Sequence, residues 1–460
     1  MAKCYEKYKD SGIAWIGEIP EHWSVKRLND IGKYRKGPFG SALKVDSFID
    51  KSDDAIKVYE QQNAIKKSAI IGASYISKEY FENNMKGFEV CANDIIVSCA
   101  GTIGELFVLP SNIEKGIINQ ALMRMRMDCR YVNLSFFLYI FDILLRVESE
   151  QSSNGSAMKN IPPFDILKKI RIPLANISEQ EQIAKYLDWK CGEVDRIVEV
   201  RERQIKLLGE LRTSVISRAV THGLNPNAPL KNSGIDWIGQ IPKHWETIKL
   251  KYIFTFGKGL NITKEDLVES GMPVISYGQI HSKENHGTGV KESLKRFVNG
   301  DYLKTNRQSL VNNNDFIFAD TSEDLEGVGN CVFVDNNEML FAGYHTITLK
   351  VKNMQHNKYL AYLFLSDLWR TQIRSRVTGV KVFSITKTIL NFNTVLLPPI
   401  AEQQQIAEYL DRKTAEIDST IDKFKVQIDK LKEYRQALIT EVVTGKIDVR
   451  DIEIPTPKSN

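Results

Sequence analysis

Residues 11–23 read SGIAWIGEIPEHW, and residues 233–245 read SGIDWIGQIPKHW. Two Trp, two Gly, one Pro and one His return in register half a chain later, and that return constrains the fold more than anything else in the sequence. A second pair follows: SEQEQIAKYLDWKCGEVDRI from residue 178 answers AEQQQIAEYLDRKTAEIDST from residue 401. Between these signatures the halves match only loosely. LSFFLYIFDILLR parallels LAYLFLSDLWR, and GTIGELFVL parallels GVGNCVFV. The order is therefore frame, divergent middle, helix start, then the same again. A period this long exceeds that of any solenoid repeat and marks a tandem duplication of a whole domain with an appended segment.

The appended segments carry a heptad pattern. Leu410, Thr414, Ile417, Ile421, Phe424, Ile428, Leu431, Arg435, Leu438 and Val442 step by alternating four and three, and eight of the ten are apolar. Leu187, Cys191, Val194, Val198, Arg201, Ile205, Leu208, Arg212, Val215 and Ala219 repeat the steps in the first half. A seam of period 3.5 over four heptads predicts a coiled coil. The chain supplies both strands, so the simplest closure is an antiparallel intramolecular pair. Glu179 and Glu402 sit in the first turns, where carboxylates suit the helix dipole. Gly223 and Gly445 mark the stops. A seam of this length spans roughly 50 Å at 1.5 Å per residue, about 14 or 15 base pairs of B-DNA.

The middles read as mixed α/β. DIIVSCAG, IINQALMRMRM, NDFIFAD and AGYHTITLKV are short β-rich runs broken by Gly, Asn and Asp, and one apolar helix follows late in each half. The expected division is 1–177, a mixed α/β domain; 178–222, a helix; 223–398, a second such domain opening on a linker at 223–232; 399–446, a second helix; and 447–460, a tail. The fold class is α+β, two similar domains related by pseudo-two-fold symmetry and separated by an antiparallel two-helix coiled coil.

The hydrophobic share, 42% of 460 residues, is enough for two or three cores. The net charge is only +5, so a nucleic-acid partner is permitted and not demanded. Six scattered Cys form no C-x-x-C pair, as expected of free thiols in a reducing compartment. Residues 1–10 are polar and the most apolar runs are too short to span a bilayer, so a soluble, cytoplasmic protein is expected. Glu323, Asp324 and Glu326 in TSEDLEGVGN lack a matching His or Cys and read as an acidic turn.

The doubled W-x-G-x-x-P-x-x-W segment, each copy with its own E-Q-x-x-I helix start, resembles the specificity subunit of type I restriction–modification enzymes. The likeness covers essentially the whole chain. It implies that each middle is a target-recognition domain reading one half of a split sequence in double-stranded DNA. It implies that the helices fix the gap and dock two modification (methyltransferase) subunits, joined by restriction (translocase/nuclease) subunits. It also implies that this chain catalyses nothing and binds no cofactor, S-adenosylmethionine and ATP with Mg being held by those partners. No cofactor loop, N-P-P-[YF] signature or P-loop is present. Two rivals remain: a methyltransferase or nuclease with diverged motifs, and an RNA-binding scaffold. Unaided cutting or methylation would favour the first, and RNA binding without duplex preference the second.

Under the leading reading, RKGPFGSALK offers Lys36, Gly37, Ser41 and Lys44 beside an exposed Phe, with backbone amides and Lys suited to phosphates. VYEQQNAIKK offers Gln61, Gln62 and Asn63 with Lys66, since Gln and Asn suit bidentate adenine contacts. The second middle offers Lys258, Asn261, Tyr277, Gln279 and His281 at similar places. Arg212 and Arg435, equivalent positions on the seams, are the candidates for partner contact.

Overall fold

In the computed structural model, the described residues are 3–152, 161–352, 357–379 and 381–455. The chain divides into two compact units, Met1–Val200 with Gln427–Asn460, and Arg201–Val426. Each takes part of both long helices, Ile177–His222 and Ile400–Val443.

In the first unit a four-stranded antiparallel sheet runs Leu106–Val108, Ile95–Ser98, Leu122–Met127, Gly32–Lys36. A five-stranded sheet runs Phe48–Ile49, Tyr75–Ile76, Ile56–Tyr59, Gly116–Ile118, Glu89–Val90, and its one parallel pair is Ile56–Tyr59 with Gly116–Ile118. Leu122–Met127 shows why these residues make strand. Met123, Met125 and Met127 turn inward, while Arg124 and Arg126 lie on the other face, Arg126 forking onto the buried Asp94 at 2.7 and 2.6 Å. IINQALMRMRM, expected as one β-rich run, is two strands of different sheets, with residues 119–121 turning between them.

The second unit repeats this plan strand for strand. Its four-stranded sheet runs Cys331–Phe333, Phe316–Ala319, Thr346–Val351, Phe254–Phe256. Its five-stranded sheet runs Leu267–Val268, Arg296–Val298, Met272–Ile275, Leu340–Ala342, Leu310–Val311, and the one parallel pair is again at the same place, Met272–Ile275 with Leu340–Ala342. The late apolar helix is Leu134–Ser152 in the first unit. In the second it is broken into Asn357–Leu365 and Asp367–Arg374, because the Ser366 side chain accepts from Trp369 N and starts a new helix.

The helices pair antiparallel within each unit. In the first, Gln182 reaches the Val449 and Ile452 carbonyls, while Asp195, further along the helix, meets Arg435 at 3.3 Å. In the second, the Arg201 guanidinium lies over Phe424, and Arg212 donates to Asp418 at 3.0 Å. All twenty seam positions are buried or half-buried.

The repeated frame has a mechanical role. In the first unit Glu179 is buried and accepts from Tyr5 Oη (2.7 Å), His22 Nε2 (2.8 Å) and Trp23 Nε1 (3.0 Å). Trp23 also packs on Gly445, just past the end of the second helix. Burial and Glu179 together push the Tyr5 hydroxyl well above its ordinary pKa. In the second unit His244 Nε2 meets Glu402 at 2.7 Å, and Trp245 lies against Gly223, just past the end of the first helix. Each copy of the frame therefore ties the start of one long helix to the end of the other. Gly445 and Gly223 have φ of +74° and +73°, the left-handed turn of a C′ glycine, and a Cβ on Gly445 would run into the Pro20 ring.

Candidate nucleic-acid interface

Four loops converge at one corner of the first unit. Gly37 follows the strand Gly32–Lys36, donates its N–H to Leu122 O (2.9 Å) and presses on the Asn119 carbonyl, where a side chain would collide. Asn119 N bonds Tyr59 O, so residues 60–62 arrive there too. Cys99 N bonds Ala121 O, and Gln61 lies over Gly101, which brings in the loop after Ile95–Ser98. The second unit builds the same corner. Gly259 donates to Thr346 O and presses on Gly343 O, Tyr277 N bonds Tyr344 O, and Asp320 N bonds His345 O. These pairings set Lys36 equivalent to Lys258, Gln61 to Tyr277, Asn63 to Gln279 and Ala121 to His345.

Both loops expected at this face in each half do meet. Lys36, Ser41, Lys44, Gln62, Lys66, Lys258 and Asn261 are exposed, and Gln61 and Tyr277 half-exposed. Ser41 sits in the short turn Gly40–Ala42 after Phe39, whose ring is 89% exposed, so an apolar group stands free at the corner. Leu260 and Ile262 are buried with Asn261 exposed between them. Lys36 lies close to Cys99, whose thiol burial pushes up to about 11 against the pull of the lysine charge.

Six expected site residues are otherwise engaged. Gly37 spends its N–H inside the sheet and serves close packing, so it presents no amide to a phosphate. Asn63 is buried: its Oδ1 accepts from Glu60 N (2.7 Å) and its Nδ2 donates to Ser68 O and Ile71 O (2.9 Å each), leaving nothing for a base. Gln279 makes the equivalent turn-closing bond to Ser276 N (3.2 Å). His281 has both ring nitrogens engaged, Nε2 with Thr321 O (2.8 Å) and Nδ1 with Asn330 Nδ2 (3.1 Å), which fixes the Nε2–H tautomer. Arg212 and Arg435 pair with Asp418 and Asp195 and tie the helices of their units, a role within the chain that accounts for both without a partner. Sequence reasoning placed them on the right seam and could not see the opposing carboxylates.

Residues 321–330 form a turn closed by Asp324 Oδ1 accepting from Gly327 N (2.6 Å). No group of His, Cys, Asp and Glu among the described residues could hold a metal ion. Sequence reasoning passed over Asp320, Tyr344 and His345. His345 Nδ1 stands 3.3 Å from Asp320 Oδ1, and its ring lies edge-on to Tyr277 (5.3 Å) and Tyr344 (6.0 Å). The one available signal was the tight turn in AGYHTITLKV.

Two units of one topology, each braced by an antiparallel helix pair, thus carry different residues at a shared loop corner. The family model described as type I restriction modification DNA specificity domain matches the chain twice, over residues 20–205 and 242–430, and the chain belongs to that family. It is similar to the type I restriction enzyme MjaVIII specificity subunit of Methanocaldococcus jannaschii, 24% identical over 94% of this chain and 95% of the relative. It is also similar to the EcoKI specificity subunit of Escherichia coli K12, 24% identical over 45% and 44%. In fold it resembles a chain from a study titled on complex assembly and conformational transition of the type I R-M system (TM-score 0.67, 15% identity, 92% and 98% covered). A further fold relative is the HsdS subunit from Thermoanaerobacter tengcongensis (TM-score 0.53, 15% identity, 93% and 98% covered). The chain is a non-catalytic DNA sequence-recognition subunit of a type I restriction–modification system, which sets aside the methyltransferase, nuclease and RNA-scaffold readings. No helix among the described residues is long and apolar enough to cross a membrane.

Proposed function

We propose that each unit reads one half of a bipartite, asymmetric site in double-stranded DNA through its loop corner, and that the paired helices set the gap. One observation carries this reading: the same corner recurs in both units with different chemistry at matched positions, Gln61, Gln120 and Ala121 against Tyr277, Tyr344 and His345. A shared frame fixes register while a few side chains specify bases, so a common corner carrying different residues is what two different half-sites require. The lysines equivalent in the two units, Lys36 and Lys258, supply phosphate contact.

The helices dock two modification (methyltransferase) subunits, which restriction subunits join. Exposed apolar side chains outside the seam support this: Ile197 and Val200 in the first unit, Leu207 and Leu211 in the second, each about half exposed. The chain holds no cofactor of its own, and S-adenosylmethionine and ATP with Mg belong to the partners. The exposed free Cys4, Cys91 and Cys129 suit a reducing cytoplasm.

Inserting one heptad at matched positions in both helices, near Val198 and Leu431, lengthens the strut by roughly 10 Å. The expected result is a spacer about three base pairs longer with both half-sites intact. A changed base preference with an unchanged spacer overturns the ruler.

A further inference from the structure

We propose that His345 is a specificity-determining residue of the second unit, its imidazole touching a base edge in the major groove of the second half-site. This rests on the reading that the corner faces DNA. His345 lies at the turn between Leu340–Ala342 and Thr346–Val351, and its backbone takes φ +53°, a conformation L side chains rarely adopt. The other non-glycine residues with positive φ among those described are Lys67 and, at equivalent turns, Asn93 and Asn314. Histidine enters this left-handed region more readily than most side chains, and here it does so where the loops of the corner meet.

The surroundings fix the ring. Asp320 Oδ1 is buried, has no hydrogen-bond partner among the described residues, and faces His345 Nδ1 at 3.3 Å, outside hydrogen-bond geometry. A carboxylate oxygen only accepts, so its charge favours the neutral form with the proton on Nδ1, whose Nε2 is then a free acceptor. Tyr277 packs edge-on against the imidazole at 5.3 Å, and the His345 side chain remains 57% exposed. An exposed ring braced on two sides loses little freedom on binding. The equivalent position in the first unit is Ala121, which has no polar atom to offer a base, so the two corners differ most here.

The test uses the full-length chain, in the assembly it is isolated with, to select from a randomised duplex library. His345→Asn and His345→Gly both relax at φ +53°, so folding is preserved and circular dichroism confirms it. The expected result is a fall in discrimination at one base position of the second half-site, roughly ten- to a hundredfold. The first half-site, the spacer and binding to unrelated duplex stay as they were. Asp320→Asn, which removes the charge facing Nδ1, weakens the same position and no other. Unchanged base preference in both His345 variants overturns the assignment. So does uniform weakening across sequences, which marks a phosphate contact. If the unaltered chain selects no split sequence, the reading of the corner fails, and the assignment with it.

Discussion

Glu179→Ala tests the mounting of the first unit. Three donors converge on this carboxylate, and two of them, Tyr5 Oη and Trp23 Nε1, belong to buried side chains with no other acceptor shown. Leaving a buried donor unsatisfied costs about 1–3 kcal/mol. The third, His22, is 43% exposed and regains water. Losing the helix-dipole term adds about 0.3–1 kcal/mol, so the total is about 3–5 kcal/mol, allowing for non-additivity. Glu402→Ala serves as the internal control. Its donor His244 is 47% exposed, and Trp245 Nε1 has no hydrogen-bond partner to lose, so the cost is about 0–1 kcal/mol. A chain of two units need not unfold in one step, so the assay is native-state hydrogen exchange read by peptide. Peptides near residues 177–195 and 435–449 should exchange about a hundred- to several-thousandfold faster in Glu179→Ala, and those near 214–222 and 400–410 should change less than about fivefold in Glu402→Ala. Equal costs at the two sites, or less than about 1 kcal/mol at Glu179, would refute the claim that the frame is a clamp on the helix ends.

Lys36→Ala and Lys258→Ala should each weaken duplex binding across all sequences and lower the slope of log K against log salt by about one, with base preference unchanged in a library selection. Gly445→Ala should cost the first unit at least about 1–2 kcal/mol from the left-handed backbone alone, more with the Pro20 collision, as read by the same exchange peptides. Asp448 gives a pH dependence. Burial pushes its carboxyl up, but hydrogen bonds from Arg450 outweigh that and hold it below the usual carboxylate value. A depressed folded pKa stabilises above the unfolded value and is lost as pH falls through the folded one. Exchange protection at residues 446–455 should therefore hold at neutral pH and erode only in acid below the ordinary Asp range, an erosion that Asp448→Asn abolishes.

The duplicated frame and the heptad seams make the architecture legible in the amino-acid sequence. Long periodic signals survive local uncertainty, and helices expected at 178–222 and 399–446 are found at Ile177–His222 and Ile400–Val443. The corner was legible as two loops per half and not as atoms. Asn63 and Gln279 have the residue types of base readers, yet each accepts a backbone N–H three residues back and closes its own turn, and Asn63 is buried as well. Arg212 and Arg435 looked free because a seam shows one helix at a time, whereas their carboxylates lie on the opposite strand. His345 escaped notice because a lone His in a β-rich run carries no periodic signal. Lys258 stands at a similar place to Lys36 in the sequence, and Gly37 and Gly259 pressing on equivalent carbonyls make the two residue-for-residue equivalent.

The central claim is that two independent readers are held at a set distance. Exchange of residues 30–170 for the corresponding middle of a relative, followed by mapping of methylated bases in genomic DNA from cells carrying the chain with its partner subunits, tests it most directly. The account predicts a split motif in which one half changes while the other half and the gap stay as they were. A motif that changes in both halves, or in neither, would contradict it.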